Sequence, residues 1–192
     1  MQARDGERDV LSCGPGADIA VVDAKDRVSR DCETVNSPTT PAPRVPKPGL
    51  TREGAVVIGT PVDLTGSWRV TVVSVTPDAT AAVMAANQFN DPPAAGRQFF
   101  IARVSATYIG AGSARLSASY RLRAVGPAAV SYSTFNDSCG VIPDELGDPD
   151  VFTSGTLTGN VCWSVAAGDA PALVMFDEPL SSNATRYFFR LF

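Results

Sequence analysis

Hydrophobic and polar residues alternate most clearly in Gly159-Asn160-Val161-Cys162-Trp163-Ser164-Val165. Val161, Trp163 and Val165 share one face, and Asn160, Cys162 and Ser164 the other. A period of two marks a strand with a buried face. The longest such run is Gln98 to Ile109, where Phe100, Ala102, Val104, Ala106 and Tyr108 form an apolar stripe and Arg103, Ser105 and Thr107 oppose it. Leu116, Ala118, Tyr120, Leu122 and Ala124 define a further inward face after the turn at Gly110–Ser113. Trp68 to Val75 alternates until Val73 breaks the period, which predicts a β-bulge. Shorter strands are expected at Ala55–Ile58, Val130–Tyr132, Val151–Phe152, Ala172–Phe176 and Arg186–Phe192. One helix is expected, with Thr76 as N-cap, Pro77 at its first position and alanine-rich residues to Ala86. Eight or nine short strands with one helix predict an all-β antiparallel β-sandwich.

The alternation begins only near Glu53. Residues 1–33 are charged, with one apolar patch at Ile19–Val22 between Cys13 and Cys32, and read as a weakly ordered segment. Residues 34–52 read as a linker, because Pro38, Pro41, Pro43, Pro46 and Pro48 favour extended polyproline geometry and resist sheet pairing. The sandwich domain is expected over 53–192.

Composition narrows the chemistry. The 192 residues carry a net charge of −4, and 19% are charged. An acidic balance lacks the basic footprint that phosphate recognition requires, so no nucleic-acid partner is expected. No apolar run is long enough for a transmembrane segment. There is no histidine, and the only lysines are Lys25 and Lys47. A Ser–His–Asp triad, a Cys–His dyad and a His-ligated zinc are therefore excluded. No catalytic residue, metal ligand or cofactor is expected, which leaves carboxylate, Tyr or Cys for any acid–base work.

Cys13, Cys32, Cys139 and Cys162 include no C-x-x-C pair. Wide spacing and an even count fit disulfides in an oxidising compartment, with Cys139 the expected partner of Cys162, while Cys13 and Cys32 are candidate disulfide cysteines whose pairing the sequence leaves open. Four ordinary thiols in a reducing cytoplasm are the alternative. Val10–Gly14 resembles a lipoprotein cleavage box but lacks the hydrophobic segment such a box requires.

Asn87-x-Phe89-Asn90-x-x-Pro93-x-x-Gly96, Tyr108-x-Gly110, Tyr132, Cys139-Gly140 and Gly155-x-x-x-Gly159-Asn160-x-Cys162 occur together here in order. In this the chain resembles an immunoglobulin-like domain of unknown function from exported proteins and lipoproteins of Gram-positive, especially actinobacterial, bacteria. The resemblance spans about Glu53 to Phe192. It implies export, an immunoglobulin-like sandwich and a Cys139–Cys162 bridge, and it brings no catalytic residues.

Two patches are candidate binding rims. Asn87, Phe89 and Asn90 offer amides and an aromatic ring, or else cap the helix while Phe89 plugs the sandwich end. Arg121 and Arg123, with Arg115 nearby, offer guanidiniums to an acidic glycan, or else keep a strand face soluble. Asp144, Glu145, Asp148 and Asp150 match no EF-hand and read as a solvated loop. Tyr187, Phe188, Phe189 and Phe192 read as a terminal strand, core on one side and sheet cover on the other. The expectation is an extracellular or cell-envelope binding domain, non-enzymatic and monomeric, whose partner is an unidentified envelope protein or glycan. A carboxylate-dependent glycan-active enzyme and a purely structural spacer are the alternatives.

Overall fold

The computed structural model describes residues 2–3, 5–37, 48–180 and 184–192. They divide into two units, Met1–Pro46 and Lys47–Phe192.

The first unit holds β1 (Gln2–Ala3), β2 (Val10–Leu11), β3 (Ile19–Val22), β4 (Arg27–Val28) and β5 (Thr34–Asn36). All its pairings are parallel: β1 with β3, β3 with β5, and β2 with β4. Val10 pairs with Arg27 and Ile19 with Thr34, so each turn of chain stacks on the next, as in a small β-solenoid. Carboxylates from each coil accept backbone N–H groups of the coil before. Asp23 takes Gly6 at 2.7 Å, Asp26 takes Asp9 at 3.0 Å, Asp31 takes Gly14 at 3.0 Å and Glu33 takes Asp18 at 2.9 Å. Leu11, Ala20, Val22 and Cys32 form its core, and Cys13 is bridged to Cys32. The weakly ordered reading of residues 1–33 is corrected accordingly. So is the linker boundary at Thr34, because Thr34–Asn36 is a paired strand. The proline tether otherwise lies mostly on residues 38–47, outside the described residues.

The second unit holds β6 (Val62–Leu64), β7 (Trp68–Thr76), α1 (Thr80–Ala86), β8 (Arg97–Tyr108), β9 (Ser113–Ala114), β10 (Tyr120–Val125), β11 (Ser131–Ser133), β12 (Val151–Phe152), β13 (Thr156–Ala166), β14 (Val174–Pro179) and β15 (Phe188–Arg190). One antiparallel sheet has the order β13-β8-β7-β6, the other β11-β10-β14-β15, and β9 pairs with β12. The expected bulge is present, with the β7–β8 register shifting between Val72 and Ser74. Trp68, Val70 and Val72 of β7, the even positions of β8 from Phe100 to Tyr108, and Val161, Trp163 and Val165 of β13 share one core with Tyr120, Ala124, Tyr132, Met175 and Phe189. Side chains from both sheets meet there, which makes this a β-sandwich.

Sheet one is covered on its outer face too. Ala79 and Val83 from the α1 region pack with Phe99, Ile101, Cys139, Ile142 and Cys162. That second layer explains why β8 is buried at both Phe99 and Phe100, although alternation alone predicts one buried face. The helix starts later than expected. Thr76 stays in β7, paired with Ile101, and Asp78 accepts the Thr80 N–H at 3.2 Å. Of the inward face expected from Leu116, Leu116 and Tyr120 enter the core, but Leu116–Ala118 forms a 3-10 turn that leaves Ala118 exposed. In the C-terminal strand Phe189 enters the core and Phe188 covers the second sheet, while Phe192 is exposed. Among the described residues, no helix is long and apolar enough to cross a membrane.

Candidate functional site: a cleft beside the Cys139–Cys162 bridge

The loop after β11 is fastened to the outer edge of β13 at three places. The Ser164 N–H donates to Asp137 O at 2.8 Å. Arg97 reinforces this end, donating to Asp137 Oδ1 at 2.6 Å and to Ser164 O while lying over the Tyr132 ring. Cys139 is bridged to Cys162, with the Cα atoms 6.1 Å apart. Further on, Asn160 N–H donates to Asp144 O at 2.7 Å, and Leu146 N–H donates to Asn160 O at 2.9 Å. The Asn160 side-chain amide also donates to Pro143 O at 2.8 Å.

Two glycines permit this close approach. A Cβ on Gly159 would stand 2.5 Å from Leu146 Cα, inside contact distance. Gly140 has a φ of +73°, and a Cβ there would stand 2.4 Å from Asn90 Oδ1. Asn90 accepts from Val141 N–H at 2.9 Å and donates to the carbonyls of Val83 and Val141, each at 2.7 Å. It therefore ties α1 to the disulfide loop. The asparagines and glycines of the sequence pattern build this loop.

Between its fastenings the loop bows away from β13 and leaves a cleft of about 220 Å³. Leu116, Leu122, Ile142, Leu146, Val161 and the disulfide give it apolar walls, and Arg121, Glu145 and Asn160 lie among its polar groups. Residues 160 and 164 both turn their N–H groups away from β8. Alternation along an antiparallel ladder makes Cys162 do the same. Its N–H and C=O face the cleft side with no partner among the described residues. Across the cleft β11 pairs only with Arg123, Ala124 and Val125, so the Tyr120–Leu122 part of β10 is also an open edge.

The carboxylates of the acidic loop are mostly engaged. Asp148 accepts both the N–H and the hydroxyl of Ser117, Asp144 lies 3.4 Å from Arg103, and Asp150 lies 3.4 Å from Arg115. Glu145 has no side-chain partner among the described residues. No three His, Cys, Asp or Glu residues among them are arranged to hold a metal ion.

The two rims foreseen from sequence do not meet. Arg121 lines the cleft, bonded through one N–H to Ser117 O at 2.5 Å. Arg123 is not in it and pairs with Glu178 at 2.6 Å. Phe89 and Asn90 line a neighbouring hollow that shares Ser138, Cys139 and Gly140 with the cleft. Asn87 closes a local turn by accepting the Phe89 N–H at 2.9 Å. Phe89 is 83% exposed and plugs nothing, which corrects the structural reading of that ring. Sequence reasoning missed Glu145 as an unpaired group and the free backbone of Cys162. The latter left no signal, because it depends on where the facing loop departs.

No protein-family model matches the chain, and no curated protein matches it. The chain is similar in structure to the ycdA protein of Bacillus subtilis, a candidate lipoprotein, at 12% identity and a TM-score of 0.47. That match covers 68% of this chain and 37% of the ycdA protein, so this chain spans well under half the length of that relative. It is also similar to an uncharacterized β-sandwich protein of Clostridium difficile, at 10% identity and a TM-score of 0.46, covering 80% of this chain and all of the other. A third similar structure is the yjhA protein of Bacillus subtilis, at 14% identity and a TM-score of 0.46, covering 71% and 99%.

Proposed function

We propose that the sandwich is a non-enzymatic, immunoglobulin-like binding domain of an exported protein, working at the cell envelope with the loop-and-strand cleft as its ligand site. Two disulfides with no free cysteine fit an oxidising compartment outside the cytoplasm. The motifs shared with exported actinobacterial-type domains support the same location. The observation that carries the binding reading is the cleft itself. It joins an apolar floor to unpaired backbone groups at Cys162 and to three charged side chains, Arg121, Glu145 and the Ser117-bound Asp148. Concave sites with apolar lining and few convergent polar groups are where small ligands bind. Glycan hydrolysis is less well supported. It needs two carboxylates flanking the scissile bond, and Asp148 is already held by Ser117.

The test is titration of isotope-labelled full-length chain with soluble cell-envelope digests, followed by amide chemical shifts. Saturable shifts confined to residues 116–122, 139–147 and 160–162 are expected, with no turnover of the digest. Shifts elsewhere only, or release of new reducing ends, would overturn the reading.

A further inference from the structure

We propose that the cleft reads the carboxyl-terminal end of a short acylated peptide, pairing one extended residue with Cys162 and its terminal carboxylate with Arg121. The proposal rests on the binding reading above and names its ligand class.

The edge of β13 sets the first requirement. Asp137 occupies the edge at Ser164, and Asp144 with Leu146 occupies it at Asn160. One residue, Cys162, is left between them with both backbone groups unpaired. In an antiparallel ladder, one residue satisfies another by exchanging both N–H···O bonds, since its own N–H and C=O point to the same side. An extended peptide residue supplies that pair. An acetamido group does not, because the N–H and C=O of one trans amide point in opposite directions. It would satisfy one of the two groups at Cys162 and leave the other buried against the ligand. The choice therefore falls on peptide over N-acetyl sugar. An amide N–H supplies that donor without placing an ammonium charge against the buried Cys162, so the acylated form of the residue is favoured.

The second requirement comes from the wall. Arg121 uses one N–H on Ser117 O, and its remaining donors have no partner among the described residues. Guanidinium is suited to planar, bidentate pairing with carboxylate. Arg123, one turn of the pleat away, is neutralised by Glu178, so Arg121 is the cation this cleft offers. Glu145 and Asp148 lie among the same lining residues, Asp148 already engaged by Ser117, and together they disfavour a second carboxylate on the ligand. The size sets the third requirement. About 220 Å³ is below the roughly 300–1,000 Å³ of drug-sized pockets, so the occupant is limited to about two residues with small side chains.

The probe is N-acetyl-dialanine, titrated into isotope-labelled full-length chain. Controls are its carboxamide, which lacks the carboxylate, and N-acetylglucosamine. The expected result is a saturable downfield shift of the Cys162 amide proton with N-acetyl-dialanine. Arg121→Ala should weaken it about tenfold or more, the typical loss for one charge-assisted pair. The carboxamide should bind the parent chain as weakly as N-acetyl-dialanine binds Arg121→Ala, and should be indifferent to that substitution. Saturation of Cys162 by the sugar alone, or N-acetyl-dialanine binding that is unchanged in Arg121→Ala, overturns the peptide assignment. If N-acetyl-dialanine moves no cleft amide while an envelope digest does, the ligand class is wrong and the binding reading stands. If neither moves one, both fail.

Discussion

Asp177 is fully buried on β14, in the middle of the sandwich. Its Oδ1 accepts the Tyr187 N–H at 2.5 Å, while Oδ2 and the hydroxyl of nearby Tyr120 are buried with no partner among the described residues. Burial disfavours the charge and raises the carboxyl to about 6, against the lowering effect of backbone N–H donors and of Arg186. Burial, with the charge of Asp177 and then Tyr187 added, pushes the Tyr120 hydroxyl up to about 12. The sign follows from linkage. A carboxyl whose folded pKa exceeds its unfolded value favours folding below both, and that contribution is lost as pH rises from about 4 through 6. At about 1.4 kcal/mol per unit, the loss above pH 7 is at most about 3 kcal/mol. Asp177→Asn keeps an acceptor for Tyr187 and brings a donor toward Tyr120. It should raise the urea midpoint relative to the parent chain at pH 8, and the gain should shrink toward pH 4. A gain independent of pH would refute the titration. Nothing in the sequence marked Asp177, because the run Ala172–Phe176 that precedes it is continuously apolar and has no period to extrapolate. Asn90 was legible as a pattern residue, and the structure supplies its reason in three hydrogen bonds.

Among elements, the disulfide loop is the least self-sufficient. It owes its position to Arg97, the Cys139–Cys162 bridge and the Asn160 contacts. Closing a loop of this length restricts the unfolded chain by about 3.5 kcal/mol on the chain-entropy account. Cys162→Ser should therefore lower unfolding free energy by about that amount, measured by urea denaturation at neutral pH, and reduction of the parent chain should add the loss of the Cys13–Cys32 bridge in its own unit. Gly159→Ala should act on the other fastening. Its methyl displaces the Leu146 backbone, at a cost of about 1–3 kcal/mol, and should speed hydrogen exchange at Leu146 and Asn160. An exchange rate equal to the parent's would show that the contact adjusts freely. The long strands were legible because β8 alternates from Phe100 to Tyr108, β13 from Asn160 to Val165, and β7 from Trp68 up to its bulge. The helix start was misplaced because Thr76 and Pro77 form a good cap locally, yet the pairing of Thr76 with Ile101 outweighs it. The solenoid coils escaped notice. Their strands are mostly two residues long, and the 17-residue offset of the stacking, Gly6 to Asp23, Asp9 to Asp26 and Gly14 to Asp31, joins acids to backbone N–H groups and so leaves almost no repeat of residue type.

For the whole molecule, the two units have separate cores, and each holds one disulfide. A chain beginning at Lys47 should keep the parent's sandwich transition. One beginning at Thr51 should melt lower, because Gly49 N–H donates to Gly54 O and Gly49 O accepts Phe188 N–H, both at 2.7 Å. Equal melting temperatures would show that this first contact is dispensable. The apolar alternation starts after it, which is why the sequence placed the domain boundary too late. The same contact continues at Val56, which runs parallel to β15. Val56 donates to Phe188 O at 3.0 Å and accepts from Arg190 N–H at 2.7 Å. The chain thus enters the sandwich beside the strand by which it ends, and in the same direction. Tension drawn between the entering segment and the carboxyl terminus would load these bonds sideways and together, in shear, instead of opening them one after another like a zip. Such a joint resists force along the chain more than its modest hydrogen-bond count implies. In single-molecule pulling, Val56→Pro, which deletes the donor to Phe188, should drop the rupture force of the whole sandwich.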